Sequence, residues 1–321
     1  MIGKVPPTTL AAILDRTGVD DPAVQLGPGF GEDAAVIDLG TTWLVISTDP
    51  LSLAAEELGH LAIHVACNDV AVGGARPRWV TTALFVPDED PETIDLLTGQ
   101  LDETARCLDV AIVGGHTEYA PSLDRPLAVL TAFGVTDHPV STGGANPDDV
   151  VILTGGPAIE GTAILATDFR DDLRKRGVAP AVIDRGADRI AAISVVDEAM
   201  AVRTFASGMH DPTEGGVLAG LVEIAHAAGC RLDIDPTHIP VPSDTAVICD
   251  AMDVDPLCIF GSGALLVTVP AADTAAALEA LAALDGEATV IGTVVDGSPA
   301  VHLGETLVTE VPRDHLYPLW E

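Results

Sequence analysis

An eleven-residue stretch, Gly27 to Ile37, combines residue types that bind nucleotide phosphates. It reads Gly-Pro-Gly-Phe-Gly-Glu-Asp-Ala-Ala-Val-Ile, with three glycines, two adjacent carboxylates and the start of an apolar run. Glycine-rich backbone can approach a polyphosphate closely and present N–H donors, and neighbouring acids can hold Mg²⁺ against the same phosphates. The stretch therefore predicts half of a nucleotide site. Read alone, the same pattern is also typical of a plain turn.

Further acids stand at the ends of predicted elements or inside apolar ones. A strand predicted over Trp43 to Thr48 delivers Asp49 at its end, where strand gives way to loop. A helix predicted over Ala54 to Val72 carries Asn68 and Asp69 within an otherwise apolar segment. An ionised side chain in such a place is expensive unless it is paired or bound to a metal. A buried hydrogen bond or a frayed helix end is the alternative explanation.

Two polar segments follow later elements of the chain. Gly114-Gly115-His116-Thr117-Glu118 comes after a predicted strand, and His210-Asp211-Pro212-Thr213-Glu214 precedes a predicted helix. Hard oxygen and nitrogen ligands at several such boundaries are how a scaffold assembles a Mg²⁺-polyphosphate site. A chain this rich in acids also places some of them at boundaries by chance, so the residues alone leave both interpretations open.

Three basic residues could take part in the same chemistry. His210 stands beside Asp211 and could be a general base, although a histidine before a helix is more often a cap or a solvent-facing residue. Arg76 and Arg78 could contact phosphate, or they could form a surface pair. The sequence does not decide between these roles.

The elements that must position these residues indicate two domains. A length of 321 residues fits two domains of about 100–200 residues each. A segment rich in Gly, Pro, Asn and Asp, 137–149, is the predicted linker, so we expect domains at 1–140 and 141–321. The remaining hydrophobic patterns predict strands at 34–39, 79–86, 110–113, 127–135, 150–153, 264–269 and 288–295, and helices at 8–17, 91–108, 180–203, 215–228 and 272–284.

The overall charge is strongly acidic without being typical of a disordered chain. Lys and Arg number 15 against 49 Asp and Glu, for a formal net charge of −34, yet 48% of the residues are hydrophobic. This balance argues against binding nucleic acid or anionic membranes, which require basic residues to neutralise phosphate. It is typical of halophilic proteins that work in high salt. Equal stability in multimolar salt and in about 10 mM salt, where the Debye length is about 30 Å, would exclude that hypothesis.

The cysteines and the hydrophobic runs predict a cytoplasmic protein. Five cysteines, an odd number with no Cys-x-x-Cys spacing, are typical of reduced thiols rather than a disulfide framework or a zinc site. We find no apolar run of about 18 residues and no signal-peptide pattern in the sequence. The expected partners therefore include neither membrane nor nucleic acid.

Five motifs occur in an order that resembles a known superfamily. They are Gly-Glu-Asp-Ala-Ala-Val-Ile (31–37), Ser-Thr-Asp-Pro (47–50), Asn-Asp-Val-Ala-Val-Gly-Gly-Ala-Arg-Pro (68–77), Gly-Gly-His-Thr-Glu (114–118) and Asp-Pro-Thr-Glu-Gly-Gly (211–216). Phe-Gly-Ser-Gly-Ala-Leu-Leu (260–266) and Ile-Gly (291–292) extend the match. Together they resemble the family of aminoimidazole ribonucleotide (AIR) synthetase PurM, the hydrogenase-maturation factor HypE, thiamine-monophosphate kinase and selenophosphate synthetase. The resemblance spans nearly the whole chain.

The resemblance implies a fold, two cofactors and a set of site residues. The fold would be the two-domain AIR synthase-like one, an α/β domain followed by an α+β domain, with the N-terminal sheet pairing across a homodimer. The cofactors would be ATP and Mg²⁺, and the glycines before Asp33 would form a flap over the phosphates. The implied metal ligands are Asp33, Asp49, Asp69, Asp211 and Glu118, the implied catalytic residues Asp69, His116 and Asp211, and the implied phosphate-binding residues Thr48, Asn68, Gly114, Gly115, Thr213 and Glu214. His116 departs from the Asp that relatives carry, which leaves the number of metals open, and Glu118 could supply the missing carboxylate.

The resemblance also implies a class of reaction. Members of the superfamily use ATP to activate an oxygen or another nucleophile as a phosphorylated species. The motif at 47–52, Ser-Thr-Asp-Pro-Leu-Ser, is most similar to HypE, which dehydrates a thiocarboxamide carried on a cysteine at its own C-terminus. This sequence ends Tyr-Pro-Leu-Trp-Glu and has no cysteine after Cys258, so we expect a separate small-molecule or protein-borne acceptor. The alternatives are a thiamine-monophosphate kinase and a non-catalytic nucleotide-binding partner protein.

Overall fold

A computed structural model of the chain describes residues 3–52, 57–284 and 286–321. The N-terminal part contains three helices: α1 (Pro7–Leu14), α2 (Leu58–Val72) and α3 (Pro91–Cys107). Its strands are β1 (Val24–Leu26), β2 (Ala35–Asp38), β3 (Trp43–Leu51), β4 (Arg76–Val86), β5 (Ala111–Tyr119) and β6 (Leu127–Thr136). They form one sheet in the order β1-β2-β3-β6-β4-β5, in which β4 and β5 pair in parallel and the other neighbours are antiparallel.

The C-terminal part forms a second sheet. Its strands are β7 (Asp149–Thr154), β8 (Gly208–His210), β9 (Arg231–Ile234), β10 (Leu265–Pro270), β11 (Ala288–Val295), β12 (Ala300–Leu303) and β13 (Thr306–Val308), in the order β13-β12-β9-β11-β7-β10-β8. Its helices are α4 (Ile159–Thr167), α5 (Arg170–Lys175), α6 (Pro180–Ala187), α7 (Val196–Val202), α8 (Gly216–Ala228), α9 (Ser243–Met252), α10 (Thr274–Ala282) and α11 (Tyr317–Trp320). None of the helices in the described part of the chain has the length and apolar character needed to cross a bilayer.

Helix α2 joins the two halves because it is apolar on nearly every side. It packs across β3, β4 and β6 of the first sheet and contacts α7 and β8 of the second half. All of its residues except His60 are buried, as expected for a helix enclosed by neighbours on all sides. The polar residues of α2 other than His60 are therefore held inside the protein, between its two halves.

Most predicted elements agree with the structure to within a few residues, but three segments differ. The helix predicted over 180–203 is divided into α6, a short 3₁₀ helix and α7, because the buried Asn68 amide bonds Ile193 O at 2.9 Å and Val195 N at 3.0 Å. Asp49 lies within β3 instead of after it, and the segment 114–118 lies within β5. Residues 54–56 of the predicted helix 54–72 lie outside the described residues.

Several elements were not predicted. They are the strands β1, β8, β9, β12 and β13, which span only three or four residues, and the helices α4, α5, α9 and α11. The strands and the shortest helices, α5 and α11, are too short for a hydrophobic period to be recognised. The change from one sheet to the other falls between Thr136 and Asp149, and a domain boundary at 140/141 remains a prediction.

Candidate active site

Three carboxylates from separate parts of the chain meet where α2 joins the two halves of the protein. Asp33 lies just before β2, Asp69 lies on α2, and Asp211 follows β8. One oxygen of each lies within 4.8 Å of the others, and Asp69 and Asp211 are buried while Asp33 is half-buried. Asp33 and Asp69 are 36 residues apart in the sequence, and Asp211 is much farther along the chain. Only the tertiary fold brings the three together.

The cluster has the properties of a cation site. Both carboxylate oxygens of Asp211 are buried without a hydrogen-bond partner among the described residues. Burial, with the charge of Asp33, raises the pKa of Asp211 well above its usual value. Burial, with the charge of Asp49, does the same to the pKa of Asp69. Because buried carboxylates of like charge are stable together only when protonated or bound to a cation, these residues fit the Mg²⁺ ion that the sequence predicts.

Ser47 and Asp49 extend the cluster along β3. The Ser47 hydroxyl donates to Asp69 Oδ2 at 2.5 Å and lies 3.3 Å from Asp49 Oδ2. Residues two apart on a strand share a face, so both side chains point toward α2. Asp49 therefore lies at the edge of the cluster, one serine away from Asp69.

His210 lies buried on the other side of the cluster, between two carboxylates. Its Nδ1 is 2.7 Å from Asp33 Oδ2 and its Nε2 is 3.0 Å from Glu223 Oε2. Burial alone would lower the pKa of His210, but the two carboxylates outweigh it and raise the pKa well above 6.5. The interpretation as a solvent-facing cap is wrong, and with both ring nitrogens occupied His210 has none left to act as a general base in this arrangement.

An ion-pair chain continues from His210 to the N-terminus. Lys4 Nζ lies 3.3 Å from Glu223 Oε1 and 3.5 Å from Glu214 Oε2. Burial would raise the pKa of Glu223, but Lys4 and His210 outweigh it and lower the pKa to about 2. Glu223 thus remains ionised and holds both His210 and Lys4 in place.

A cavity of about 600 Å³ opens beside the acids, within the range of small-molecule sites. One wall carries the acids and β3; the opposite wall carries Glu160, Phe260, Ser262 and Tyr317. Of the predicted phosphate-binding residues, Thr48, Thr213 and Glu214 line this cavity. Asn68 lies near it but uses its amide to hold residues 193–195.

The motif at 114–118 lies apart from the acids in the single chain. Asp49 pairs with Leu130 on β6, Leu130 with Thr82 on β4, and Thr82 with Gly115 on β5. Three strand spacings separate Asp49 from Gly115, or about 14 Å. Gly114, His116 and Glu118 lie on the same exposed strand, where His116 Nε2 lies 3.3 Å from Glu118 Oε2.

The glycines of the first motif lie beside Asp33, and their role as a flap over phosphates stays a prediction. Gly31 has a φ of +83°, and a Cβ there would lie 2.8 Å from Glu223 O, so the glycine allows close approach to α8. Residues 28–31 line a second cavity, which shares Glu32 and Asp33 with the first. Arg76 pairs with Asp197 at 2.9 Å and Arg78 stacks over Trp79, so the surface interpretation holds for both.

Four residues of the site were missed by sequence reasoning: Lys4, Ser47, Glu160 and Glu223. A signal existed for Glu223, since it is a lone acid in the apolar segment Val-Leu-Ala-Gly-Leu-Val-Glu-Ile-Ala, as Asp69 is in α2. Glu160 has the same signal on α4. Ser47 begins the motif 47–50, from which only Thr48 and Asp49 were assigned to the site. Lys4 stands in a context that gives no indication of a site.

Comparison with known proteins identifies the family of the chain. Residues 31–136 match the N-terminal domain model of AIR synthase related proteins, and residues 146–304 match the C-terminal domain model. The carbamoyl dehydratase HypE of Rhodobacter capsulatus is 30% identical over 302 residues, covering 92% of this chain and 84% of that protein. The chain belongs to the AIR synthase-related family. Membership places it among enzymes of the synthetase and dehydratase type.

Solved structures confirm the predicted two-domain fold of this AIR synthase-related protein. A structure described as AaThiL complexed with AMPPCP and TMP superposes with a TM-score of 0.77 at 18% identity, covering 97% of each chain. The hydrogenase maturation protein HypE in complex with ATP superposes with a TM-score of 0.69 at 22% identity, covering 92% of each chain. At these identities the likeness establishes the fold alone.

Glu160 of the AIR synthase-related protein gives a pH prediction. Burial, then the charges of Glu214 and Asp314, raise its pKa from 4.5 to about 7. A raised acid pKa means that the stability Glu160 contributes is complete below pH 4.5 and is lost as the pH rises through 7. The ligand-free Glu160→Gln variant should therefore gain about 3 kcal/mol of unfolding free energy relative to wild type between pH 4.5 and pH 8. Denaturant titrations at both pH values measure this, with the exposed Glu279→Gln as control, and parallel pH curves for wild type and Glu160→Gln would contradict it.

Proposed function

We propose that the chain is a Mg²⁺-dependent, ATP-using enzyme of the HypE-like branch, which activates an oxygen of an acceptor by phosphoryl transfer. The observation that carries this proposal is the buried cluster of Asp33, Asp69 and Asp211. Two buried carboxylates and one half-buried carboxylate this close together, one of them with no hydrogen-bond donor in the described part of the chain, are costly without a cation. Oxygen ligands from carboxylates are those that Mg²⁺ prefers beside nucleotide phosphates.

The residues around the cavity divide the work. Asp33, Asp69 and Asp211, with Asp49 at the edge, would hold the ion, and Ser47 would orient Asp69. Mg²⁺ bound there would neutralise charge on the transferred phosphoryl group. An acceptor oxygen would form the new bond to the γ-phosphorus while the bond to the β,γ-bridging oxygen breaks, and ADP would leave with the electron pair.

Calorimetry with Mg-ATP tests the nucleotide half of the proposal. Titrations in both low and multimolar KCl should give a saturable heat with wild type and none with Asp69→Ala. Absence of binding in wild type, or unchanged binding in Asp69→Ala, would overturn the proposal. Asp95→Ala on the exposed face of α3 is the matched control, since it also removes one carboxylate from a helix.

A screen of acceptors for ATP consumption tests the reaction. Turnover of an amide, carbamoyl or hydroxyl compound would support phosphoryl transfer. Turnover of thiamine monophosphate to the diphosphate would assign the chain to the kinase instead of the HypE-like branch. Binding of ATP without consumption by any acceptor would favour a non-catalytic nucleotide-binding protein.

A homodimer formed through the N-terminal sheet is also part of the proposal. Helix α2 covers one face of that sheet, while the residues that point to the other face are only half-buried, among them Val129, Thr131 and Phe133. Every residue of the edge strand β5 is exposed, including Tyr119 at 53%. A partially apolar face beside an unpaired edge favours association with a second copy.

Substitution on this face should dissociate the dimer. Val129→Arg places a charge in the middle of the uncovered face, next to Pro50 and Ala83 in the sheet register, and we expect the protein to sediment as a monomer. Leu96→Arg, which replaces a residue 57% exposed on α3, should leave the dimer intact. Sedimentation velocity distinguishes the two states, and a wild-type monomer or a dimeric Val129→Arg variant would contradict the assignment of this face.

A further inference from the structure

A second cavity, of about 550 Å³, adjoins the first and shares Asp33 with it. Three segments of the chain enclose it: α1 with the residues before it, the glycine stretch 28–33, and the segment 311–317. Its body is apolar, with walls formed by Pro6, Leu10, Leu14, Phe30, Val311 and Pro312. Its volume is within the range of cavities that bind small molecules.

The polar end of this cavity is the site of the acids. His210, Glu223 and Asp33 line it, and Asp33 is a member of the metal-type cluster. Both cavities share the same wall, made of Lys4, Glu32, Asp33, Glu214 and Tyr317. A molecule in the second cavity would therefore meet, at Asp33, whatever is bound in the first.

The walls of the second cavity are held in place without a ligand. Gly31 packs against the α8 backbone, and Phe30 contacts His226 of α8 edge-on at 5.6 Å between ring centroids. On the other side, Asp314 accepts hydrogen bonds from Gly215 N and Leu316 N, both at 2.8 Å. A preformed cavity loses little free energy in ordering itself around a ligand.

The charges around the cavity select the chemistry of its ligand. Five acids line it, Glu32, Asp33, Glu214, Glu223 and Asp314, against Lys4, His210 and Arg313. Lys4 and His210 already bind acids of the same wall. An anionic head group would be repelled, whereas a neutral or cationic donor of hydrogen bonds would be attracted.

We propose that the second cavity binds the acceptor, a small molecule with an apolar body and a neutral or cationic head that carries the reacting oxygen and donates hydrogen bonds from a neighbouring N–H or O–H toward Asp33. This inference rests on the proposed function, in which the first cavity takes Mg-ATP. Two cavities that share Asp33 in their walls allow nucleotide and acceptor to meet at the same point. Phosphoryl transfer requires that the acceptor and the γ-phosphate be held together in this way.

Three matched probes test the site by calorimetry: phenethylamine, phenethyl alcohol and 3-phenylpropionate. In the lowest salt at which the protein stays folded, we expect the amine and the alcohol to bind with a Kd of about 1 mM and the carboxylate at least about 10-fold more weakly. Binding of none of the three, or equal binding of the carboxylate, would overturn the proposal.

Two tryptophan variants on one helix locate the probe. Leu10→Trp fills the cavity and should weaken binding of the amine at least about 10-fold. Ile13→Trp, at a position 53% exposed on the same helix, should leave its affinity unchanged. Equal affinity in both variants would place the probe elsewhere and overturn the proposal. Mg-ATP titrations of wild type run alongside, because their failure would contradict the proposed function without altering the probe result.

Discussion

Replacing Asp211 by Asn should abolish Mg-ATP binding and, at the same time, stabilise the metal-free protein. Asp211 is 1% exposed, and neither of its oxygens has a hydrogen-bond partner among the residues described. Asn keeps the shape of the side chain but removes the charge that a cation needs, so we expect divalent-ion affinity to fall by at least about 100-fold. The same loss of charge removes repulsion with Asp33 and Asp69.

The gain in stability should depend on pH. Because burial and Asp33 raise the pKa of Asp211, the stability that Asp211 contributes is complete below pH 3.8 and is lost as the pH rises through the raised value. Asn has no proton to lose. The advantage of Asp211→Asn should therefore grow by about 1.4 kcal/mol for each pH unit between the ordinary and the raised pKa of Asp211.

Calorimetry and denaturant titration, each with and without Mg²⁺, measure both effects. Asp253→Asn is a suitable control, since Asp253 has a φ of 58° at the end of α9 and Asn adopts that conformation equally well. A variant that lost binding and stability together would contradict the proposed role, because it would make Asp211 a structural residue.

The acids that sequence reasoning located best are those in apolar surroundings. Asp69 was recognisable because it is a charged residue in an apolar helix. Such a residue is costly to bury unless it is paired or binds a cation, so its position in the sequence suggests a function. Asp33 and Asp211 were recognisable from motifs at the ends of elements. In each case the local sequence marked a candidate and left a structural role open, and the resemblance to a known superfamily selected the acids as a set.

His116 and Glu118 could not be placed in the same way. Their motif follows a strand, as Asp49 does, but strand order is decided by pairing between distant segments and not by local pattern. The sheet places β5 at its edge, three strands from β3, so similar local signals end far apart in one chain. In the proposed homodimer this edge and its motif would face a second copy, and the sedimentation of Val129→Arg tests that association.

The contacts of Asn68 could not be predicted from the local sequence, for a different reason. A polar residue beside Asp69 was expected to face phosphate, yet both ends of its amide hold the backbone at 193–195. That contact also breaks the helix predicted over 180–203. The helical period of the segment was real, and a tertiary hydrogen bond 125 residues away in sequence overrode it.

Replacing His210 by Ala should lower the free energy of unfolding by more than a substitution of a surface residue does. The imidazole lies between Asp33 and Glu223, with its side chain 4% exposed and theirs 15% and 8% exposed. Removing one partner of a buried ion pair costs about 3–5 kcal/mol, because the remaining charges stay buried. Glu223 would keep Lys4, and Asp33 would keep the Thr142 hydroxyl at 3.1 Å, so the protein should still fold.

The double variant His210→Ala/Glu223→Ala separates an ion-pair role from simple loss of packing. If the charges matter, the double variant should lose less stability than the sum of the two single variants. Since the carboxylates raise the pKa of His210, its stabilising effect is complete below pH 6.5 and is lost as the pH rises through the raised value. The difference between wild type and His210→Ala should accordingly shrink in alkaline solution.

This behaviour distinguishes His210 from a general base. A base would leave the stability of the metal-free protein nearly unchanged on substitution and would alter the pH profile of the reaction. A residue that holds Asp33 would change stability and divalent-ion affinity together, because the orientation of a ligand affects the metal. We expect the second result, measured by denaturant and Mg²⁺ titrations of His210→Gln, which retains one donor. A variant with wild-type stability and ion affinity but no turnover would restore the general-base hypothesis.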